Sequence, residues 1–349
     1  MRALVTGGAG FIGCNLADRL ASEGHEVIVF DALTRDGVAR NLAWLESRHG
    51  ARIIPVTADV RDARAVAEAA REAGVIFHLA AQVAVTTSLV DPMEDFEINV
   101  RGALNVLEAA RRRRAPVIFA STNKVYGDLA DVALERAGEA YRPCDAGLRE
   151  RGVSERRPLD FHTPYGCSKG AADQYVLDYA RSFGLPTCVF RMSCIYGPHQ
   201  MGTEDQGWVA HFLIRALAGE RISIYGDGRQ VRDVLHVDDA VGAYVAAFAR
   251  IEDVAGRAFN LGGGPANAIS LRQLIAHIEE ITGRGILVEY ADWRAGDQRY
   301  YVSDASAARH QLALPEPRGW RSGVAALAEW LQADRADRET ARKPAETVS

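Results

Sequence analysis

The chain has 349 residues, of which 48% are hydrophobic and 25% charged, enough apolar material for one large α/β domain or two smaller ones. A net charge of −5 and a pI near 6.0 exclude the global positive field that favours nucleic acid or an anionic membrane surface. No apolar run reaches membrane-spanning length, and the apolar start, Ala3 to Thr6, is too short for a signal segment.

Short apolar runs alternate with helical patterns through the first half. Strands are predicted at Arg2 to Thr6, Glu26 to Phe30, Arg52 to Val56, Val75 to Leu79 and Val117 to Ala120, with helices between them. That alternation is the signature of an α/β fold with a doubly wound parallel sheet. Arg111 to Arg114 close the helix carrying Val106, Leu107, Ala109 and Ala110, where cations meet the negative end of the helix dipole. They are read as a solvated helix end rather than a docking patch. The helix carrying Tyr165 and a sixth strand, Thr187 to Arg191, follow. Beyond it the pattern loosens, with helices expected at Gly207 to Ala218, Ser270 to Thr282 and Val324 to Leu331 between loops bearing Gly and Pro. We expect a sheet domain over 1–190 with returns near 230–262, and a smaller interleaved lobe from 191–229 and 263–332. The tail 333–349 has no large apolar run and is expected to be disordered.

Strand one runs into Thr6-Gly7-Gly8-Ala9-Gly10-Phe11-Ile12-Gly13, three glycines at three-residue spacing just before a helix. Such a turn cradles a phosphate. Gly7 permits the tight turn, Gly10 lets the backbone approach a pyrophosphate, and Gly13 lets the helix pack closely on the sheet. Asp31 ends the next strand, where a carboxylate binds adenosine ribose hydroxyls and repels a 2′-phosphate. This favours NAD over NADP, with Arg35 as a nearby cation able to accommodate a 2′-phosphate.

Only three lysines stand against thirty-eight arginines, and one of them closes Tyr165-Gly-Cys-Ser-Lys169. Where arginine is the habit, a retained lysine marks a position that wants a compact ammonium. On a helix the two side chains share one face. A neighbouring ammonium stabilises a phenolate, so the Tyr165 pKa is expected to fall toward neutrality, as a general base requires. A partly exposed helix with an ordinary tyrosine is the plain alternative.

The Gly-x-x-Gly-x-x-Gly turn together with Tyr-x-x-x-Lys resembles the extended short-chain dehydrogenase/reductase family of nucleotide-sugar epimerases and dehydratases, from Met1 to roughly Leu331. The resemblance implies a Rossmann fold with a substrate-binding C-terminal lobe, a nucleotide-sugar substrate, and NAD held by Gly7, Gly10, Phe11, Ile12, Gly13 and Asp31. It also implies adenine contacts from Asp59 and Val60, a cofactor-lining strand end at Leu79, Ala80, Ala81 and Gln82, and Asn99 supporting the backbone there. A helix-interior polar role is an equal alternative for Asn99. Thr122, Tyr165 and Lys169 are implied as the catalytic set: Tyr165 removes a sugar hydroxyl proton while hydride passes to NAD⁺, and Lys169 holds the nicotinamide ribose. Arg232, Arg294, Asp297 and Arg299 are similar to positions that grip diphosphate and ribose, with surface ion pairs as the alternative. Thr86, Asn123, Lys124 and Cys194 are assigned to the sugar side, where capping or packing competes for Lys124. The family analogy further implies a homodimer or homotetramer.

Dehydratases of this family resemble Thr-Asp-Glu at the position where Asn123 and Lys124 follow Thr122 here. The acid and base needed to eliminate water are missing, which implies redox-neutral epimerisation. The strings Gln82 to Ser88, Asp95 to Val100, Ser121 to Asp128, Tyr165 to Tyr175 and Asp205 to Trp208 resemble a branch that inverts C2 of CDP-activated deoxyhexoses. C2 has no adjacent carbonyl to acidify its C–H, so inversion calls for a bound oxidant and a transient 2-keto sugar. The alternatives are a 4-epimerase, which usually carries Asn where Cys194 stands, a uronate decarboxylase or epimerase, and a non-catalytic NAD-binding scaffold.

Cys14, Cys144, Cys167, Cys188 and Cys194 show no Cys-x-x-Cys spacing, so no disulfide framework is expected and a cytoplasmic location is. His78, His162, His199 and His236 show no ligand spacing, and no metal site is expected.

Overall fold

The structure, a computed structural model, describes residues 1–294 and 296–342. Seven parallel strands form the central sheet in the order Arg257–Leu261, Thr187–Met192, Val117–Thr122, Val75–His78, Arg2–Thr6, Glu26–Asp31 and Ile53–Thr57. The chain starts at Arg2–Thr6, winds outward to Ile53–Thr57, then crosses to the other side of its first strand with Val75–His78. The order reverses between those two strands, and a crevice opens beyond their C-terminal ends, where open α/β sheets bind ligands. Central strands read Ala3-Leu4-Val5, Val75-Ile76-Phe77 and Val117-Ile118-Phe119, all buried. Such unbroken apolar runs suit a sheet with helices on both faces. Helices Phe11–Ser22 and Val237–Ala249 pack on one face, and Gly102–Arg113 and Thr163–Phe183 on the other.

The second lobe holds a four-stranded sheet of Cys194–Tyr196, Val231–His236, Ala268–Ser270 and Tyr300–Tyr301, and a parallel pair, Ile222–Tyr225 with Val288–Ala291. Trp208–Ala218, Leu271–Thr282 and Trp320–Arg342 enclose its core around Phe212, Leu213, Leu274, Ile278 and Leu327. Ser270 caps the second of these helices in a reciprocal box. Its hydroxyl accepts from Gln273 N–H at 3.2 Å, and the Gln273 side chain accepts from Ser270 N–H at 2.9 Å.

Of the sheet returns expected near 230–262, Arg257–Leu261 joins the central sheet, whereas Val231–His236 belongs to the second lobe. The tail expected to be disordered from 333 continues the last helix to Arg342. Its Ala, Arg and Glu content is strongly helix-forming even without an apolar face. Residues 343–349 lie outside the described residues. Among the described residues no helix is long and apolar enough to cross a membrane, and all five cysteines are free thiols.

Candidate active site

At the end of the first strand Gly7 adopts φ +68° and donates its N–H to Phe30 O at 2.8 Å, while Gly10 N–H turns back to Gly7 O at 3.1 Å. No side chain caps the helix that follows, so its N-terminal N–H groups and positive dipole end are left to an anion. A cavity of about 750 Å³ runs from Asp31, Asp59 and Val60, past the glycine turn, Phe11, Ile12, Leu79, Ala80 and Ala81, to Tyr165 and Lys169. Its size and its polar ends fit a dinucleotide.

Asp31 is fixed by two backbone donors, Ala9 N–H at 3.1 Å and Leu33 N–H at 2.9 Å. Arg35 lines the same end of the cavity; burial lowers its pKa, and the Asp31 charge opposes the shift. Replacing Asp31 by Ser leaves Arg35 as the charge facing the ribose. NAD affinity should fall about 10-fold or more, the worth of a charge-assisted hydrogen bond, while NADP affinity rises; calorimetric titration with both cofactors measures the ratio. Asp59 is held at 3.0 and 2.7 Å by Arg61, which keeps its carboxyl below the usual range.

Gln82 and Asn99 are not in the cavity wall. Asn99 sits in a π-turn, Glu97–Arg101, a widened helical turn of the kind found at functional sites. Its Oδ1 accepts from Gln82 N–H at 2.9 Å and its Nδ2 donates to Gln82 O at 3.1 Å. The side chain therefore clamps the strand end whose preceding residues line the crevice.

Thr122 ends the strand Val117–Thr122, and its hydroxyl favours ionisation of the Tyr165 phenol. Tyr165 and Lys169 lie one turn apart on the helix Thr163–Phe183, both buried. The Lys169 ammonium sits 4.2 Å from the centre of the Phe119 ring, a cation–π contact. Thr163, β-branched, begins this helix at φ 64°, a strained conformation at the entry to the catalytic segment. The expected fall in the Tyr165 pKa is not what this geometry gives. Burial pushes the phenol up to about 12, against the Thr122 hydroxyl, and pulls Lys169 down to about 7, against Asp173 and Asp95. For each group desolvation outweighs the neighbours that favour its ionised form, the Thr122 hydroxyl for Tyr165 and the two carboxylates for Lys169.

Outside the cavity wall, the segment before Tyr300–Tyr301 folds over the turn Asn123–Tyr126. Lys124 Nζ donates to Gly296 O at 3.2 Å, Asn123 Nδ2 to Gln298 Oε1 at 3.1 Å, and Arg232 pairs with Asp297 at 2.8 Å. Burial, with Arg232 next, lowers Lys124 to about 8. Cys194 Sγ accepts from Trp208 Nε1 at 3.3 Å and feels the charges of Arg232 and Lys124. These residues form one cluster. Arg294 lies apart, stacked 3.7 Å over Tyr225 and paired with Asp205 at 3.1 Å, and Arg299 is exposed over Trp293 and Tyr141. Thr86 keeps a buried hydroxyl without a hydrogen-bond partner among the described residues.

Several residues in and around the cavity gave no local signal. Gln298 is fully buried, and a strap from His199 to Gln206 crosses the adenosine end of the cavity. His199 packs between Trp44 and Trp330, ring centres 4.0 and 5.0 Å away and both rings tilted. Asn41, which bonds both Ala9 O and His199 O, ties that strap to the glycine turn. His78 is bonded to Thr6 and His236 caps the helix Val237–Ala249. His162 meets Asp128 at 3.7 Å through Nδ1 and Asp160 at 3.1 Å through Nε2. These three residues could together hold a cation; with each ring nitrogen facing a different carboxylate, the arrangement is that of a paired imidazole.

Residues 3–262 match the NAD dependent epimerase/dehydratase family, and the chain belongs to it; the cofactor of its crevice is NAD. The chain is 42% identical to the CDP-paratose 2-epimerase of Salmonella typhi over 95% of its length and 99% of that protein's. It is 36% identical to a UDP-glucose 4-epimerase of Mycolicibacterium smegmatis over 95% of its length and 96% of the relative's. Among solved structures, it superposes on the UDP-glucose 4-epimerase of Thermotoga maritima, crystallised with UDP-glucose, with a TM-score of 0.82 and 30% identity, covering 96% of this chain and 100% of that one.

Proposed function

We propose that this enzyme inverts C2 of a CDP-activated deoxyhexose through a transient 2-keto sugar. NAD⁺, which the glycine turn Gly7 to Gly13, Asp31 and Lys169 would hold, would supply the reversible hydride acceptance that inversion at C2 requires. Tyr165 accepts the C2 hydroxyl proton and gives it back, Thr122 steadies the phenolate, and Lys169 holds the ribose edge of the cofactor and the positive charge beside the phenol. The observation that carries this reading is the pair of residues after Thr122. Asn123 and Lys124 both point into the sugar-side cluster, where elimination of water would need a carboxylic acid and a carboxylate. Identity to the Salmonella typhi 2-epimerase supports C2 as the carbon inverted.

Proton NMR of CDP-paratose and CDP-glucose with the protein in D₂O tests it. Inversion at C2 with the C2 proton retained is expected; deuterium at C2 would replace hydride return with a solvent-exchanging step. Inversion at C4, or turnover only of a UDP- or GDP-sugar, would overturn the substrate assignment. Lys124→Met is expected to lower kcat/KM about 10- to 100-fold, the worth of one hydrogen bond to a charged donor; unchanged turnover removes Lys124 from the sugar site.

The helices Val85–Val90 and Pro92–Phe96 pack on Thr163–Phe183, and Leu89, Val90, Met93, Phe96 and Tyr175 are exposed there. This face supports a homodimer or homotetramer, which a monomer in sedimentation velocity would remove. Five free thiols support a reducing, cytoplasmic setting.

A further inference from the structure

Lys169 is surrounded by four titratable groups. Tyr165 and Asp173 flank it on its own helix, His78 faces it from the strand Val75–His78, and Asp95 faces it from the short helix Pro92–Phe96. Asp173 is the stronger of the two carboxylates acting on Lys169 but is itself paired, and His78 carries no charge. Asp173 is spanned by Arg191 at 2.9 Å on each oxygen and also accepts from the Ser121 hydroxyl at 2.8 Å. His78 is neutral, because burial and then the Lys169 charge hold its pKa near about 3. Asp95 differs. It is fully buried, and its Oδ1 accepts from two neutral amides, Gln82 Nε2 at 2.8 Å and Asn99 Nδ2 at 3.2 Å. Its Oδ2 has no hydrogen-bond partner among the described residues. Burial pushes this carboxyl up, while the Ser168 hydroxyl, the Gln82 amide and the Lys169 ammonium pull it down. A buried carboxylate with an unsatisfied oxygen is costly; the Asn99 amide that donates to it also donates to the Ser168 hydroxyl at 3.0 Å, next to Lys169 on the helix Thr163–Phe183, and the Lys169 charge acts on it.

We propose that Asp95 is a positioning residue that acts through the Tyr165–Lys169 pair, its carboxylate being a counter-charge that holds the proton on Lys169 and sets the pH range over which the pair works. This rests on that pair as the proton-handling group. Its two ionisations are coupled, so a nearby negative charge raises both apparent values and its removal lowers both.

Asp95→Asn removes the charge and retains an Oδ1 to accept from Gln82 and Asn99. The NAD-loaded protein is titrated by its ultraviolet phenolate absorbance, taken as the difference between chains with Tyr165 and with Tyr165→Phe, in both backgrounds. The Tyr165 midpoint should fall by about one pH unit on loss of the carboxylate, with both limbs of the kcat/KM profile moving the same way. Asp95→Glu, which keeps the charge, should stay with the parent. An unchanged midpoint overturns the proposal, including the case where Asp95→Asn lowers only the melting temperature or NAD content. If Asp95→Asn does not fold, Asp95→Ser takes the same titration. Because no sugar is present, a failure to invert C2 of CDP-sugars would sink the functional reading and leave the midpoint shift standing.

Discussion

Tyr165→Phe is expected to lower turnover on the order of 10³-fold, within the range contributed by a positioned general base, with the melting temperature and NAD content of the parent. The ring of Phe fills the same buried site on the helix Thr163–Phe183, so only the hydroxyl is lost. The pH dependence separates this from a packing defect. Burial raises the phenol from its ordinary 10 to about 12 and lowers the ammonium from 10.5 to about 7. With the phenol above the ammonium, the phenolate–ammonium form is a minor population that grows from acid up to about 7, where Lys169 begins to lose its proton, and falls beyond about 12, where Tyr165 is ionised. The Phe variant has no phenol to ionise, and its residual kcat/KM should lack the acid limb. A loss under about 10-fold would give the base to another group.

Gly13→Ala should abolish NAD retention and destabilise the chain. A Cβ at Gly13 would stand 2.1 Å from Gly7 O and 2.8 Å from Gly8 Cα. Both are backbone atoms of the turn itself, so neither can yield without moving the strand end. Overpacking of this kind costs about 1–3 kcal/mol in side-chain cores, and rigid backbone leaves less room to relax. Gly10→Ala is the informative contrast. Its Cβ meets only Gly7 O, at 3.1 Å, and otherwise points into the crevice. The cofactor-free melting temperature should stay near the parent's, while the rise normally produced by added NAD disappears, since a ligand that no longer binds the native state cannot stabilise it. Thermal melts of both variants with and without NAD read the two effects. Equal losses in both would mean that Gly10 is held by packing rather than by the pyrophosphate path.

What could be read in the sequence was what short segments encode. The glycine turn, Asp31 at the end of the second strand, and Tyr165 with Lys169 each need no more than a strand and a helix to take their places, and the central strands announced themselves as unbroken apolar runs. The hairpin Leu134–Ala137 with Ala140–Pro143 was not predicted, because its two four-residue strands contain no β-branched residue and the second ends in proline. The π-turn that aims Asn99 leaves no mark on the apolar period. Asp128 and His162 are separated in the chain by more than thirty residues, and Gln298 lies far from Asn123 in sequence, so their meeting depends on how the lobes fold together. The Tyr165 phenol is the instructive miss. Spacing gave the neighbour on the helix, but the depth at which both groups are buried is a property of the whole fold, and here burial sets the direction in which the phenol moves.

The chain leaves the central sheet after Thr187–Met192, builds part of the second lobe, returns for Arg257–Leu261, and leaves again. The edge strand contributed by that return pairs with Thr187–Met192 along its length, and Asn260 within it accepts from the Tyr126 hydroxyl at 2.7 Å. There is consequently no single cut that separates the two halves as genetic modules. A chimaera spliced near residue 193 would bring a foreign sheet edge along with any foreign sugar pocket, so exchange of specificity between relatives has to proceed through scattered point changes rather than cassette transfer.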